Sequence, residues 1–249
     1  MRWVPTTYCQ YVIESDSFGA GKLFCYLKHN TDGLTSKVQL RDAGDYFGVS
    51  DRTIRRWYNR ARAENWIGES KAGTLFLRSW QHIMDIHGFQ FKTCFRFRES
   101  DLHNFKTYCY AAVISNMARS RSNQLERLSG RSIQADRSVP LASNAIAKTL
   151  NVSERTAQTY RQKAVESGYI QKTENLKPFN VKVIYFNQFM KSFPEANLTI
   201  RNGQVFEQLP DKVHYHPDLI RPIRRLKVFS PAPPAPPEDM YAKNVHYDL

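Results

Sequence analysis

The chain repeats itself, without a gap, over two stretches that lie 103 residues apart. The first runs Phe47-Gly48-Val49-Ser50-Asp51-Arg52-Thr53-Ile54 and on to Asn65-Trp66-Ile67. The second runs Leu150-Asn151-Val152-Ser153-Glu154-Arg155-Thr156-Ala157 and on to Gly168-Tyr169-Ile170. Val49/Val152, Ser50/Ser153, Arg52/Arg155, Thr53/Thr156, Ala61/Ala164 and Ile67/Ile170 are identical. The spacing predicts a short helix, a tight turn, a second helix and a hairpin, built twice.

The repeat is larger than these two stretches. Cys9-x4-Glu14-Ser15-Asp16 matches Cys94-x4-Glu99-Ser100-Asp101 at an offset of 85, and Lys22-x2-Cys25-Tyr26 matches Lys106-x2-Cys109-Tyr110 at an offset of 84. The offset of 103 at Ser50 leaves 19 extra residues in the second copy, placed at Arg119 to Arg137. That run is rich in Ser and Arg and is read as an exposed basic loop that extends the helix before it. The four cysteines have neither CxxC spacing nor a nearby His pair for zinc, and nothing indicates an oxidising compartment. They are expected to be small buried thiols at equivalent core positions.

Each copy is expected to begin with a short strand, near 8–13 or 91–98. Ser15 or Ser100 is then expected to cap a first helix that buries Leu23, Phe24 and Leu27, or Tyr108, Ala111 and Ala112. A second helix carries Ala43, Gly44 and Phe47, or Ile146, Ala147 and Leu150, at a helical spacing. Gly44 and Ala147 are small enough for the next helix to approach closely. Ser50 and Ser153 cap a third helix with an inner face of Ile54, Trp57, Tyr58 and Ala61, or Ala157, Tyr160 and Ala164. Asn65 and Gly168 suit the left-handed position after it. Two strands should follow each time: Trp66–Glu69 with Thr74–Arg78 around Gly73, and Tyr169–Thr173 with Val181–Phe186 around Asn175-Leu176-Lys177-Pro178. Beyond residue 191 the repeat stops. Asn202-Gly203 predicts a tight hairpin, Arg221, Arg224, Arg225 and Lys227 form a basic cluster, and Ser230 to Pro237 reads as extended polyproline in a mobile tail.

Val49 through Ile67 resembles the winged helix-turn-helix superfamily of bacterial and phage regulators, and so does Val152 through Ile170. The resemblance rests on Val-Ser-x-Arg-Thr followed by Gly-hydrophobic-Ile about fifteen residues after the Ser, with Asn65 in the place of the Gly in the first copy. It implies a mainly α fold with small β wings. The expected order is a first winged-helix domain at 1–90, a second at 91–190 with the basic insertion 119–137, and a partly disordered tail at 191–249. Tandem winged helices are also the layout of many plasmid replication initiators.

Such a unit presents its second helix to the DNA major groove. Arg52, Thr53, Arg55, Arg56 and Asn59 share the outer face of the first such helix, with Arg60 and Arg62 nearer the phosphates. Arg155, Thr156, Gln158, Thr159 and Gln162 share the second, flanked by Arg161 and Lys163. Arg matches guanine O6 and N7, whereas Asn and Gln match adenine N6 and N7, so the two helices are expected to read different half-sites. Lys71, Lys172, Lys177 and Lys182 lie on the wings, within reach of the backbone or as ordinary surface. A net charge of +13 and a pI near 9.6 favour a polyanionic partner.

No apolar run approaches the roughly 20 residues that span a bilayer, and Met1-Arg2-Trp3-Val4-Pro5 lacks the features of a signal peptide. A cytoplasmic protein without membrane partners is expected. No phosphate-binding Gly loop, cofactor site or metal site is read. His82, Asp85 and His87 are taken as surface residues of a linker helix. His214-Tyr215-His216 resembles an element of nickase-type replication enzymes, but without the catalytic sheet domain and the helical Tyr those enzymes use. The expectation is therefore a non-enzymatic, sequence-specific binder of double-stranded DNA. Replication initiation on a plasmid or phage, with host machinery recruited through the proline-rich tail, is one use; promoter regulation is another. A protein-binding adaptor is the alternative of a different class.

Overall fold

The computed structural model describes residues 3–70, 74–90, 93–129, 138–173, 177–178, 182–192, 198–201, 203–207 and 218–228. It is mainly helical with small antiparallel sheets. The first copy runs β1 (Trp3–Pro5), α1 (Thr6–Glu14), α2 (Phe18–Asn30), β2 (Leu34–Thr35), α3 (Lys37–Phe47), α4 (Asp51–Ala63), β3 (Ile67–Glu69) and β4 (Leu75–Leu77). A connecting helix α5 (Trp80–Ile86) leads to β5 (Thr93–Arg96), a 3-10 turn at Glu99–Leu102 and α6 (Phe105–Ser129). The second copy continues through β6 (Val139–Pro140), α7 (Ser143–Leu150), α8 (Glu154–Glu166) and β7 (Ile170–Thr173). Then come β8 (Lys177–Pro178), a 3-10 turn at Val183–Tyr185, α9 (Phe186–Ser192), β9 (Leu198–Arg201), β10 (Gln204–Glu207), β11 (Leu219–Pro222) and β12 (Leu226–Val228).

The two copies build the same small sheet. In the first, the order is β2-β4-β3; in the second it is β6-β11-β7. Residue 220 pairs with Val139 on one side and Lys172 on the other, as residue 75 pairs with Thr35 and Glu69. The expected strand at Val181–Phe186 is therefore corrected: Val183–Tyr185 form the 3-10 turn, Phe186 starts α9, and the partner of β7 is β11. A strand in this place must fill the core. Ile220 is fully buried there, whereas Ile184 and Tyr185 are exposed. The hairpin around Gly203 is present, with Gly203 at φ +74° between β9 and β10.

The expected strand at 8–13 is also corrected. Tyr8, Cys9, Val12 and Ile13 are buried at the i, i+1, i+4, i+5 spacing of one helical face, and they belong to α1. The strand of the first copy is the shorter β1, which pairs with β5 of the second, Val4 opposite Phe95. Cys9 and Cys94 thus stand on different element types, and the shift of offset from 85 to 84 marks where the copies part. Ser15 and Ser100 are not helix N-caps; the residue before α2 is Ser17. Ser15 donates its hydroxyl to the Tyr11 carbonyl at 2.7 Å and closes α1, while Ser100 lies inside the 3-10 turn. The insertion begins as helix, since α6 continues to Ser129 with Arg119, Arg121 and Arg127 on it.

One hydrophobic core runs through both copies. α1 packs along α6, and Tyr8, Phe24 and Trp66 on one side continue into Phe95, Tyr108 and Tyr169 on the other. No helix among the described residues is long and apolar enough to cross a membrane. Gly73, Arg131, His214-Tyr215-His216 and the polyproline run lie outside the described residues.

The returning strands are locked by one buried carboxylate. Asp101, 1% exposed, accepts from the Arg98 backbone N–H at 2.7 Å, the Tyr169 hydroxyl at 2.9 Å and Arg224 Nη1 at 2.5 Å. Replacing one partner of such a pair leaves a buried charge uncompensated. Asp101→Ala is expected to lower stability by about 3–5 kcal/mol in urea denaturation, and the double variant with Arg224→Met to lose less than the sum of the two single changes.

All four cysteines are buried and free. Burial pushes the Cys25 and Cys109 thiols well up, and Cys94 up to about 12. Native protein at pH 8 is expected to resist thiol labelling at these three positions and to react fully once denatured, because only the thiolate attacks.

Candidate nucleic-acid interface

The duplicated stretch folds by duplicated end-motifs. At the end of α3, Gly48 is left-handed at φ +62°, and the N–H groups of Gly48 and Val49 return to the carbonyls of Asp45 and Gly44. At the end of α7, Asn151 is left-handed at φ +49°, with N–H groups of Asn151 and Val152 returning to Lys148 and Ala147. Both are the paired bonds of a Schellman ending. The same pattern closes α4 at Asn65 and α8 at Gly168. Ser50 Oγ accepts from the Thr53 N–H at 3.4 Å, and Ser153 Oγ from the Thr156 N–H at 3.1 Å. A Cβ at Gly44 would meet Ile54 at 3.4 Å, which shows how closely α4 crosses α3.

These caps fix which side of α4 and α8 faces out. On α4, Ile54 and Ala61 are buried, and Arg52, Arg55, Arg56 and Asn59 are exposed at the i, i+3, i+4, i+7 spacing of one face. Arg52, Arg55 and Arg56 make no ion pair among the described residues. Arg60 is drawn to Glu64 at 2.7 Å and Arg62 to Glu69 at 2.8 Å. Glu64 also takes the Tyr11 hydroxyl, which burial and this carboxylate push up to about 12. Thr53 is half-buried, its hydroxyl in contact with Ser50 at 3.2 Å.

The face of α8 is differently furnished. Arg155, Gln158, Thr159, Gln162 and Lys163 are exposed. Gln158 donates to Glu154 at 3.4 Å, Gln162 to Glu166 at 3.1 Å, and Thr159 to the Arg155 carbonyl at 2.8 Å. Thr156 bonds Ser153 at 2.8 Å. The Lys163 ammonium lies 5.2 Å from the Tyr160 ring centroid. Arg161 and Lys172 are tied back to Asp218, at 2.9 and 3.9 Å. Lys71 lies outside the described residues, as does the side chain of Lys177; Lys182 is exposed.

Sequence reasoning missed two cations. Lys37 and Arg41, four apart on α3, line a groove with Leu40, Asp51, Ile54 and Arg55. Their signal is the i, i+4 spacing of two cations on the side of α3 away from Ala43. Among the described residues, no cluster of His, Cys, Asp or Glu could hold a metal ion. His82, Asp85 and His87 lie on or just after α5: Asp85 accepts from Gln81 at 2.7 Å, and His87 stacks on Phe89 and packs at a tilt against Tyr11. No family model, no curated protein and no solved structure matches this chain.

The serine caps allow a direct check of this local architecture. Ser50→Ala and Ser153→Ala are each expected to lower stability by about 1 kcal/mol in thermal melts, with the glycine variants losing only a few tenths.

Proposed function

We propose that the two copies are winged helix-turn-helix units and that the chain binds double-stranded DNA sequence-specifically, with α4 and α8 as its reading helices. The observation that carries this is the outer face of α4. Three guanidiniums without a carboxylate ion pair among the described residues, plus Asn59, stand together on a helix capped at both ends. Asp51 lines the groove beside Arg55 but is not ion-paired with it, and the excess positive charge of this face suits a polyanion. Lys37 and Arg41 extend the same positive surface onto α3. Arg52, Arg55 and Arg56 suit guanine and phosphate oxygens, while Gln158 and Gln162 suit adenine. Both helices follow the same capped turn, so the two copies offer two reading faces from one chain.

As a use, we place replication initiation on a plasmid or phage ahead of promoter regulation. Among the described residues, the chain outside the two copies supplies β12, which pairs with β5, and one small three-stranded sheet, β8-β10-β9. An origin with repeated sites supports the first use; one operator over a promoter supports the second. A protein-binding adaptor would turn the same arginine face to acidic side chains, and it would show no salt-sensitive DNA binding.

The test is a duplex-binding titration with salt. Displacing counterions from roughly five to nine phosphates gives a log–log slope of about −4 to −8. Arg55→Ala with Arg56→Ala is expected to flatten the slope and alter one half-site. Gln158→Ala with Gln162→Ala is expected to relax the other, at about 1–3 kcal/mol per true base contact. A flat salt response of the unaltered chain, or identical selection profiles for the two double variants, overturns the assignment.

A further inference from the structure

Packed side chains link the two exposed helices: Trp57 of α4 rests on the backbone of α2, and rings carry the contact from α2 to α8. Trp57, on the inner side of α4, lies directly against Gly19 of α2: a Cβ there would sit 2.1 Å from the indole Nε1. The neighbouring Phe18 stacks on Tyr110 of α6, with ring planes 17° apart and centroids 6.4 Å apart. Tyr110 in turn stacks on Tyr160 of α8, with planes 4° apart and centroids 4.0 Å apart. The Lys106 ammonium lies 4.5 Å from the Phe18 centroid and 5.4 Å from that of Tyr160.

The arrangement crosses the boundary between the copies. Phe18 and Gly19 belong to the first, and Lys106, Tyr110 and Tyr160 to the second. Trp57 and Tyr160 are equivalent in the repeat, as are Lys22 and Lys106. Lys22 stays within its own copy, over the rings of Phe47 and Trp57 at 4.2 and 5.9 Å. Lys106 instead spans a ring from each copy. Stacked rings have few soft torsions, and a cation held between two π faces resists their separation. A flexible tether would let α4 and α8 sample many separations, whereas packed rings hold one.

We propose that Phe18, Tyr110 and Tyr160, clamped by Lys106, are positioning residues that fix the separation of α4 and α8, so that the protein accepts one spacing between its two half-sites. This rests on the assignment of both helices as DNA readers. It adds that half-site spacing is measured by ring packing inside the protein. Changing the spacing by one base pair rotates the second half-site by roughly 35° about the duplex axis, which a rigid reader does not follow.

Two measurements on the full chain test it. In the first, spin labels at Ala63→Cys and Ser167→Cys, at the ends of α4 and α8, report the distance between the helices without DNA. A single narrow distribution is expected. Phe18→Ala should at least double its width, and Phe18→Tyr should restore it. Lys106→Gln changes an exposed side chain and leaves the fold in place, so it is the second variant; it should broaden the distribution less. Unchanged widths in both Phe18→Ala and Lys106→Gln overturn the proposal. In the second, a duplex selected from a random pool is re-spaced in single base-pair steps. The unaltered chain should lose about tenfold or more in affinity per step, and Lys106→Gln clearly less. A selected two-part site with a flat spacing series sinks the strut alone. Failure to enrich any duplex sinks the DNA-reading assignment and the spacing consequence with it.

Discussion

The second half of the molecule is organised around the carboxylate of Asp101. A charge this deeply buried is tolerable only when paired and hydrogen-bonded, and each of its three donors comes from a different place. Arg98 belongs to the turn that leads into α6, Tyr169 to the start of the second small sheet, and Arg224 to the chain returning from the far side. The Arg224 guanidinium also lies 4.4 Å from the Tyr169 ring centroid. Burial, and then Asp101, push the Tyr169 hydroxyl far above its ordinary range, so it remains a donor at any ordinary pH. With Arg224 held there, β11 is set between β6 and β7 and β12 beside β5. One buried pair thus serves two of the sheets.

Its strength explains how the second copy tolerates a long excursion. In the first copy, the strands of the small sheet are joined by residues 70–74; in the second, residues 174–218 intervene. The second connection is nine times as long, about three doublings. At roughly 0.6 kcal/mol per doubling, the added closure entropy is about 2 kcal/mol. Pulling Arg224 away and leaving Asp101 buried without it costs more than that, about 3–5 kcal/mol. The excursion can therefore be inserted without opening the sheet, provided the return point is pinned. Asp218 adds a second pin at the same place, where it meets Arg161 and Lys172.

What was legible in the sequence was whatever depends on local rules. Ser50, Ser153, Asn65 and Gly168 announce helix ends because capping and left-handed backbone select those residues within a few positions, and the structure puts each where the pattern places it. The buried positions from Ala43 to Leu150 follow from helical period. What failed depends on distant partners. Tyr8 to Ile13 alternates enough to read as a strand, and only its packing along α6 shows that the helical face is the one in use. Val181 to Phe186 has strand-forming composition in the expected place, yet Ile220, some forty residues on, fills the core instead. Nothing local marks that exchange. On the exposed helices, the sequence named residues but not their ties. The pairing of Arg60 with Glu64 and of Lys172 with Asp218 removes them from the free cations, and the second tie is long-range.

The two exposed helices show what duplication has kept and what it has released. Their caps and turns are the same, because the backbone must make the same bend twice. Their outer faces have diverged in charge and also in freedom. Arg52, Arg55 and Arg56 on α4 have no ion-pair partner among the described residues, so bringing them to a phosphate breaks nothing. On α8, Gln158, Thr159 and Gln162 are each held by a bond within their own helix. To reach a base edge each must give up that bond, worth about 0.5–1.5 kcal/mol, and recover it only where the base offers a matching group. On the proposed reading, the first helix therefore supplies most of the attraction along with its own half-site contacts. The second adds little unless its half-site is right, and so the stricter discrimination falls there. Divided in this way between helices held in one core, affinity and selectivity can vary independently, which a single reading helix does not allow.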